Sequence, residues 1–414
     1  MPLSCLLAEN VLLYKTIISK LRRKSMFKLE CDCGRVHQAS LEDYIIESGA
    51  IQKLPQMLKN YRAVYMVCDP DTYQALGQKA EQILKENRMF SHKLILKKNP
   101  LPDYETLGNI VTHLYDLDAE ADPSGFSPLP DFILAVGSGT VNDSCRLASY
   151  RLGIPYGVAA TAPSMDGYAS AGTPFLCDGT KRTIKCTTPK YIIADTDILK
   201  DAPWDMLLAG IGDMFGKYTG ILDWELARDY NGDYYCKQIA DQVIDATNLC
   251  LNNGYFLEKR DPGCIANVME GFMVTGLGMA YTGNSRPASG AEHIIAHAWE
   301  LHDVANHKKP NLHGLEVCQA TRIVIEMYRM LYQETDDSHL KELIGKYLPY
   351  FDGVEEFCQK MKVPSVVLNR EEILDGIYRA LPMRDRYTIM FYLRDKGWFE
   401  RYAETATDRF LESV

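Results

Sequence analysis

The sequence predicts a protein of the α/β plus all-α class, in which an N-terminal doubly wound, Rossmann-like parallel sheet precedes a C-terminal helical domain. From residue 26 to 199, short β-rich runs alternate with helical stretches, as in a parallel sheet with crossover helices. From residue 200 to 414, helical periodicity continues almost without β-branched runs. At 414 residues the chain is also too long for one ordinary hydrophobic core, which favours two domains.

The strands of the sheet are predicted from five short apolar runs. The segment "DFILAVG" at 131–137 is almost continuously apolar, which is typical of a strand buried on both faces. The other runs are more mixed, but they alternate with helical sequence in the same way. The predicted strands cover residues 62–69, 91–98, 131–137, 156–163 and 191–196.

The domain boundaries follow from changes in sequence pattern. Long stretches such as "YCKQIADQVIDATNLCLNNG" have helical periodicity, and proline and glycine punctuate them. The first 25 residues contain "VLLYKTIISKLRRKS", which is apolar and then basic, the reverse of a secretory signal. We therefore expect an N-terminal extension over 1–25, a sheet domain over 26–199 and an all-helical domain over 200–414.

Composition excludes several classes of partner. The formal net charge of −10 argues against nucleic-acid binding, which requires a basic face, although a cleft can be locally basic. The 12 cysteines are scattered, several within apolar runs, which favours buried thiols in a reducing, cytoplasmic compartment over a disulfide framework. No run of about 18 apolar residues is present, so we expect no membrane span.

One cysteine-rich segment, "CDCGRVH", contains Cys31, Cys33 and His37. These are residue types that bind zinc, but the spacing is not C-x2-C and no second pair follows. The sequence therefore favours no metal here.

The segment "AVGSGTVND" follows a predicted strand and opens a predicted helix. Gly137 and Gly139 allow a tight turn close to a ligand, and the following amides at the helix N-terminus form a natural site for pyrophosphate. The third glycine of the dinucleotide fingerprint is replaced by Asn142. A strand–glycine–helix turn without a ligand is the alternative.

Asp69 ends the predicted strand 62–69. An acidic residue at the end of an early strand is well placed to accept hydrogen bonds from ribose hydroxyls. A helix N-cap or turn in "CDPDT" is an equally good interpretation.

Histidines are concentrated in the segment 285–314, which holds five of the nine in the chain. His293 and His297 are four residues apart and should lie on one face of a helix, and His313 stands at the start of the next helix. Asp213 is a charged residue in an apolar helix, which is costly unless the carboxylate is paired or binds a metal. An Asp/His/His set suits a divalent metal with a Lewis-acid role. His302 and His307 are predicted in an exposed loop.

Three stretches together resemble the sn-glycerol-1-phosphate dehydrogenases: "GSGTVND", "TAPSMDGYAS" with "GIGD", and "RPASGAEHIIAH" followed by "LHG". That family belongs to the superfamily of iron-containing alcohol dehydrogenases, glycerol dehydrogenases and dehydroquinate synthases. The resemblance covers roughly residues 26–330 in order and spacing. It implies a dehydroquinate synthase-like fold, an NAD(H) or NADP(H) cofactor and one divalent metal (zinc, nickel or iron).

The resemblance also implies roles for individual residues. Asp213, His293 and His313 would be the metal ligands. Asp166 and His297 would be catalytic and would contact the substrate, with Asp213 at the edge of both sites. Asp69 would bind the adenosine ribose. The remaining cofactor contacts would be Gly137, Gly139, Thr140, Val141, Asn142 and Asp143 at the pyrophosphate, and Thr161, Ala162, Pro163, Ser164 and Ser170 beside the nicotinamide.

The implied reaction is reduction of dihydroxyacetone phosphate to sn-glycerol 1-phosphate, with the carbonyl polarised by the metal. A homo-oligomer is compatible with this interpretation. Alternatives are a dehydroquinate synthase-like lyase that eliminates phosphate, a dehydrogenase for glycerol or another small polyol, and a noncatalytic nucleotide-binding protein.

The sequence departs from the family pattern at Met165, where many members carry histidine or another polar residue. The side chains at the edge of the substrate site are therefore expected to differ from those of the family, whereas Asp166 is retained. The phosphate ligands of the substrate are not fixed by any motif. Arg182, Lys185 and Arg286 are candidates, but each is more typical of a solvated charge.

Overall fold

The computed structural model describes residues 27–119, 130–366 and 368–414. The predicted N-terminal extension of residues 1–25 lies outside the described residues. The strands, in chain order, are β1 Phe27–Leu29, β2 His37–Ala39, β3 Asp43–Glu47, β4 Val64–Cys68, β5 Phe90–Ile95, β6 Phe132–Gly137, β7 Tyr156–Ala160, β8 Gly172–Cys177, β9 Thr180–Lys185 and β10 Tyr191–Asp195.

A six-stranded parallel sheet forms the N-terminal part, in the order β3-β10-β7-β6-β4-β5. All five predicted strands are present, each shorter than its apolar run. The edge strand β3 was missed, because only Tyr44 of its five residues is fully buried and its sequence lacks a continuous apolar run. A helical C-terminal part follows the sheet, which confirms the predicted fold class.

The centre of the sheet is buried on both faces. Along β6, Ile133 and Ala135 pack into one hydrophobic cluster, and Leu134 and Val136 pack into another on the opposite face. Every residue of β6 is buried, as its continuous apolar sequence predicts.

Two antiparallel hairpins lie outside the main sheet and were not predicted. The first pairs β1 with β2, and the second pairs β8 with β9. The first hairpin contacts the helical part, because Nδ1 of His37 lies 3.2 Å from the carbonyl oxygen of Tyr281.

The helix that follows β4 is interrupted. A π-helical segment at Tyr73–Gly77 separates its two α-helical parts. Short 3-10 helices occur at Ala50–Lys53 and Gly167–Ala169. The α-helices up to the end of the sheet are α1 Leu54–Met57, α2 Pro70–Thr72, α3 Gln78–Glu86, α4 Tyr104–Ala119, α5 Gly139–Leu152 and α6 Thr196–Leu199.

The C-terminal part contains the longer helices and a 3-10 helix at Gly254–Lys259. Its α-helices are α7 Trp204–Asn231, α8 Lys237–Asn253, α9 Pro262–Thr282, α10 Ala291–Ala305, α11 His313–Glu334, α12 Ser338–Gly345, α13 Leu348–Met361, α14 Arg370–Met383, α15 Ile389–Asp395 and α16 Phe399–Glu412.

One helix, α9, is long and apolar enough to meet a length-and-composition test for a membrane span, with a mean hydropathy of 1.2. The segment is not an uninterrupted apolar run, because it contains Asn267 and Glu270. In the structure 61% of that window is buried against other parts of the protein, so its apolar character is also that of a core helix. No other helix of the described residues meets the test.

Candidate active site

The predicted phosphate loop connects β6 to α5. Gly137 ends the strand where a Cβ atom would lie 2.7 Å from Cβ of Val141, so a larger residue does not fit there. Ser138 is the N-cap residue of α5, and its hydroxyl lies 2.6 Å from that of Ser164 in the segment after β7. The backbone N–H of Thr161 donates to the carbonyl of Gly137 over 3.3 Å. The loop therefore contacts the segment that follows β7.

Several predicted cofactor residues in α5 are buried. Asp143 pairs with the fully buried guanidinium of Arg146 at 2.5 Å, and Asn142 donates to the carbonyl of Gly167 over 3.3 Å. Val141 is also buried, beneath Gly137. Burial raises the pKa of Asp143 to about 6, against the lowering effect of Arg146. The side chains of this turn of α5 thus face the interior, and the backbone of Ser138–Thr140 is the part available to a ligand.

Asp69 is a helix cap in the structure. Its carboxylate Oδ1 accepts a hydrogen bond from the backbone N–H of Thr72 over 2.8 Å. In return, the hydroxyl oxygen of Thr72 accepts a hydrogen bond from the backbone N–H of Asp69. This is the local interpretation of "CDPDT". The capping hydrogen bond uses Oδ1 of the Asp69 carboxylate. The predicted contact of Asp69 with the cofactor ribose stays a prediction.

The segment 161–170 lies between the loop and the helical part. The hydroxyl of Tyr168 donates to the carbonyl of Ala162 over 2.7 Å, which holds the segment in a compact turn. Ser170 closes its end through hydrogen bonds with the backbone of Gly172 at 2.9 and 3.0 Å. Thr161 and Ala162 are buried, so the first of the candidate nicotinamide-side residues lie in the interior.

Glycines bring α7 close to two other segments. At Gly210 a Cβ atom would lie 1.8 Å from the carbonyl oxygen of Pro163, and at Gly314 it would lie 1.9 Å from that of Ala209. Both contacts are possible only without a side chain. They bring Asp213, one turn along α7, close to the segment 161–170 and to the start of α11.

Asp213, His293 and His313 converge at this point, with one donor atom from each within 4.8 Å of the others. Oδ1 of Asp213 lies 3.3 Å from Nε2 of His293, and the imidazole centroids of His293 and His313 are 5.4 Å apart. A tetrahedral ion with bonds of about 2.1 Å holds its ligand atoms about 3.4 Å apart. The donor set and its spacing therefore fit a divalent metal.

Two carboxylates orient the imidazoles. Nδ1 of His293 lies 2.8 Å from Oε1 of Glu292, and Nδ1 of His313 lies 2.7 Å from Oε1 of Glu300. Because each Nδ1–H donates to a carboxylate, each Nε2 keeps its lone pair free for a metal. His297, Glu300 and His313 form a second possible donor group, but Glu300 is already paired with Lys181.

The sequence analysis missed Lys217, which is central to the site. Its Nζ lies 2.8 Å from Oδ1 of Asp213 and 2.8 Å from Oδ2 of Asp166, and its side chain has no exposed surface. Burial alone would raise the pKa of Asp213, but the charges of Lys217 and His293 hold it below its usual range. A lysine four residues after an aspartate in an apolar helix is a signal that sequence analysis could have used.

His297 lies beside the metal-ligand candidates, and its ring stacks on that of His313 with centroids 5.4 Å apart. Nη2 of Arg384 lies 3.3 Å from Nδ1 of His297. Burial lowers the pKa of His297 well below its usual value, and the charges of Lys181 and Arg384 act in the same direction. His297 is therefore neutral near pH 7, and because arginine only donates, Nδ1 accepts and Nε2 holds the proton.

The other charged candidates lie elsewhere. His302 belongs to the last turn of α10, so the prediction that it lies in a loop is wrong, whereas His307 is exposed after that helix. Arg286 is paired with Asp233 and with the carbonyl of Tyr387. Two remaining candidates are exposed on β9: Arg182 and Lys185.

Met165, the departure from the family pattern, packs against the phosphate loop. A Cβ atom at Gly139 would lie 3.5 Å from Cε of Met165, and the backbone N–H of Gly167 lies 2.9 Å from its sulfur. The thioether therefore fills space beside the loop, next to Asp166.

Comparisons with known proteins agree with this architecture. A family model described as "Iron-containing alcohol dehydrogenase" matches residues 45–203. The chain resembles a solved glycerol dehydrogenase from Schizosaccharomyces pombe with a TM-score of 0.62 at 17% identity, over 92% of this chain and 93% of that one. At that identity the likeness shows the fold.

Curated relatives show the family. A glycerol-1-phosphate dehydrogenase [NAD(P)+] of Halalkalibacterium halodurans is 34% identical over 307 residues, which cover 72% of this chain and 74% of the relative. Another from Bacillus subtilis is 34% identical over 360 residues, which cover 86% of this chain and 82% of the relative. Together with the converging Asp/His/His set, these matches show that the chain belongs to the glycerol-1-phosphate dehydrogenase family, within the superfamily of iron-containing alcohol dehydrogenases.

Proposed function

We propose that this protein reduces dihydroxyacetone phosphate to sn-glycerol 1-phosphate with NADH or NADPH. The observation that carries the proposal is the convergence of Asp213, His293 and His313 with Asp166, close to the segment that contacts the phosphate loop. The relatives named as glycerol-1-phosphate dehydrogenases support the same reaction.

We assign the sheet domain to residues 26–199 and the helical domain to residues 200–414, with the reaction at their junction. The hydrogen bond from the backbone N–H of Asp166 to Oδ2 of Asp213, at 2.8 Å, joins the two parts at the site and supports this assignment. A cytoplasmic location and a homo-oligomer stay predictions of the sequence.

The cofactor would lie along the loop Gly137–Asp143 and the segment Thr161–Ser164, with Ser170 near its nicotinamide end and Asp69 at its ribose. NAD(P)H supplies the hydride. The N-terminus of α5 favours a pyrophosphate, since the first turn of a helix leaves backbone N–H donors without intrahelical partners at the positive end of the helix dipole.

The metal would be held by Asp213, His293 and His313; zinc, nickel and iron all suit this donor set. It supplies Lewis-acid polarisation of the substrate carbonyl. Because Glu292 and Glu300 fix both ring orientations, the two Nε2 donors are held in place before an ion binds.

Lys217 and Asp166 would bind the part of the substrate that carries its hydroxyl and carbonyl oxygens. An ammonium has three N–H donors, and one is bonded to Asp213 here, so donors remain for a substrate oxygen. The positive charge also keeps Asp213 ionised in the buried site.

His297 would give the proton that the reduced oxygen needs. Nε2 holds that proton, because Nδ1 faces the guanidinium of Arg384. Donation from Nε2 would leave an imidazolate unless Nδ1 gains a proton at the same time, so a water molecule from solvent would supply the proton that His297 relays, while Arg384 stays charged and orients the ring.

Arg384 and Lys181 would bind the substrate phosphate. Within the described residues Arg384 forms no ion pair with a carboxylate; Nη2 contacts Thr183 and His297, both at 3.3 Å. A largely buried guanidinium next to the reacting side chain is suited to an anion. Lys181, paired with Glu300, adds a second positive charge.

The test is a steady-state assay of the full chain with dihydroxyacetone phosphate and NADH or NADPH, with and without a chelator. We expect net oxidation of one NAD(P)H for each sn-glycerol 1-phosphate formed, and loss of turnover on chelation. Unphosphorylated dihydroxyacetone is the matched control, and it should react poorly. Phosphate release without net cofactor oxidation would instead indicate the lyase.

A further inference from the structure

A second cluster of metal-binding residue types lies apart from the candidate active site. It consists of Cys31, Cys33, His37 and Cys236, called here the cysteine–histidine cluster, and all four donor atoms lie within 4.8 Å of one another. The first three belong to the β1–β2 hairpin and the turn within it. Cys236 is the N-cap residue of α8, about 200 residues later in the chain.

The donor atoms are spaced like the ligands of one tetrahedral ion. The sulfurs of Cys31 and Cys236 lie 3.4 Å apart, and Nε2 of His37 lies 3.1 Å from the sulfur of Cys33 and 3.7 Å from that of Cys236. With Zn–S bonds of about 2.3 Å and Zn–N bonds of about 2.1 Å, ligand atoms lie about 3.5–3.8 Å apart. A small adjustment would place all four on one ion.

His37 is already oriented for coordination. Nδ1 lies 3.2 Å from the carbonyl oxygen of Tyr281, at the end of α9, and the side chain is only 1% exposed. Because Nδ1–H donates to that carbonyl, the lone pair on Nε2 faces the sulfurs. A metal-bound histidine commonly makes this outer hydrogen bond to a backbone carbonyl.

The surroundings suit a negatively charged thiolate centre. The hydroxyl of Tyr234 lies 3.1 Å from the sulfur of Cys33 and can donate to it. The guanidinium carbon of Arg35 lies 3.4 Å from the ring centroid of Tyr234, which places a positive charge close by. Three thiolates and one divalent ion carry a net charge of −1, which this pair of residues stabilises.

We propose that the cysteine–histidine cluster binds one structural Zn²⁺ through Cys31, Cys33, His37 and Cys236. Four protein ligands close the coordination sphere, as in structural rather than catalytic zinc sites. Binding releases the thiol protons to solvent and joins the N-terminal hairpin to the start of α8. The site neither uses nor requires the proposed dehydrogenase reaction.

A disulfide between Cys31 and Cys236 is the main competing interpretation. It would require a sulfur separation of about 2.05 Å, and the observed one is 3.4 Å. A disulfide between these two residues would also not account for the position of Cys33, or for the orientation of His37 with Nε2 towards the sulfurs. All the described cysteines are free in this structure.

The test uses the purified full chain loaded with Co²⁺ in place of Zn²⁺. Cobalt bound to thiolates has an intense sulfur-to-metal charge-transfer band in the near ultraviolet, which an Asp/His/His site cannot produce. We expect this band in the wild-type protein and in His293→Ala, with two metal ions per chain in the first and one in the second. Its absence from wild-type protein would overturn the proposal.

Variants locate the ligands. Cys33→Ser and Cys236→Ser should each abolish the band, lower bound zinc by one ion per chain and lower the thermal midpoint. Cys264→Ser is the matched control, because its buried thiol donates to the carbonyl of Asn253, which a serine hydroxyl can replace. An unchanged band in both ligand variants, or a Cys31–Cys236 disulfide found by mass spectrometry without reductant, would refute the site. The wild-type spectrum remains decisive if a variant fails to fold.

Discussion

The ammonium group of Lys217 lies 2.8 Å from Oδ1 of Asp213, one helical turn away on α7, and neither side chain has exposed surface. The same ammonium lies 2.8 Å from Asp166, which comes from the segment between β7 and β8. One lysine therefore balances the charge of a candidate metal ligand and of a candidate substrate ligand.

Replacing Lys217 tests this charge balance. We expect Lys217→Met to lower the free energy of unfolding of metal-free protein by about 3 kcal/mol, because two buried carboxylates lose their partner. Added Zn²⁺ should recover more stability in the variant than in wild-type protein, since the ion then supplies the missing positive charge. Denaturant unfolding with a chelator and with Zn²⁺ measures both effects.

The control for this variant is Lys237→Met, which removes an exposed lysine paired with Asp241. Such a pair contributes little, and we expect a change of about 0.5 kcal/mol or less. Equal destabilisation by the two substitutions would contradict a special role for Lys217.

Glu292 is predicted to tune metal binding through His293. Glu292→Gln weakens the hydrogen bond to Nδ1, and metal affinity should fall about 10-fold. Competition with a chromophoric chelator gives the affinity. Glu225→Gln, on α7 but bonded to Tyr347, should leave affinity unchanged; a similar loss in both variants would argue against the orienting role.

His297 is predicted to act in proton donation and not in metal binding. His297→Asn should lower kcat about 100-fold, because a positioned proton donor contributes on that scale. Metal content should stay at the wild-type level. His293→Ala should lose the ion of the Asp213–His293–His313 site and turnover together, and retention of full activity there without added metal would refute the ligand assignment.

Asp69 combines a structural and a proposed functional role, and two substitutions separate them. Asp69→Ala should cost about 1 kcal/mol of stability through loss of the helix cap. Asp69→Ser keeps a capping hydroxyl but removes the carboxylate, so it should keep stability and raise the KM for NADH. It should also raise the KM for NADH relative to the KM for NADPH, because the carboxylate that is removed repels a 2′-phosphate. An unchanged KM for NADH would place the ribose elsewhere.

Glu81 provides a pH test of stability outside the site. Burial would raise its pKa, but Lys85, Lys93 and Tyr73 lower it to about 2 from the ordinary 4.5. The ionised form is therefore favoured by folding, and this contribution is complete above pH 4.5 and is lost as the pH falls towards 2. Glu81→Gln should destabilise the protein at pH 7 by about 1 kcal/mol, and the difference from wild type should shrink below pH 4.5. A constant difference across this range would contradict the prediction.

Local pattern predicted much of the sheet and part of the site. The strand β6 was found because a doubly buried strand must be apolar throughout, and the shared helix face of His293 and His297 follows from a spacing of four residues. The edge strand β3 was missed because most of its side chains are not fully buried, so it does not need the continuous apolar sequence by which a strand is recognised. The spacing of four residues between Asp213 and Lys217 could have indicated their pairing, but the contact of Lys217 with Asp166 joins residues 51 positions apart and could not be predicted from spacing.

The sequence by itself determined the fold class, the phosphate-loop turn and the residue types available for chemistry. These depend on periodicity and on short spacings, which fix geometry within one element. Only the tertiary structure decided which distant residues meet. Asp213 reaches His313 because Gly314 lets α11 approach the backbone of Ala209, and Cys236 completes the cysteine–histidine cluster from 205 residues beyond Cys31. Separation along the chain carries no distance information once packing brings the elements together, so these contacts could not be predicted from spacing.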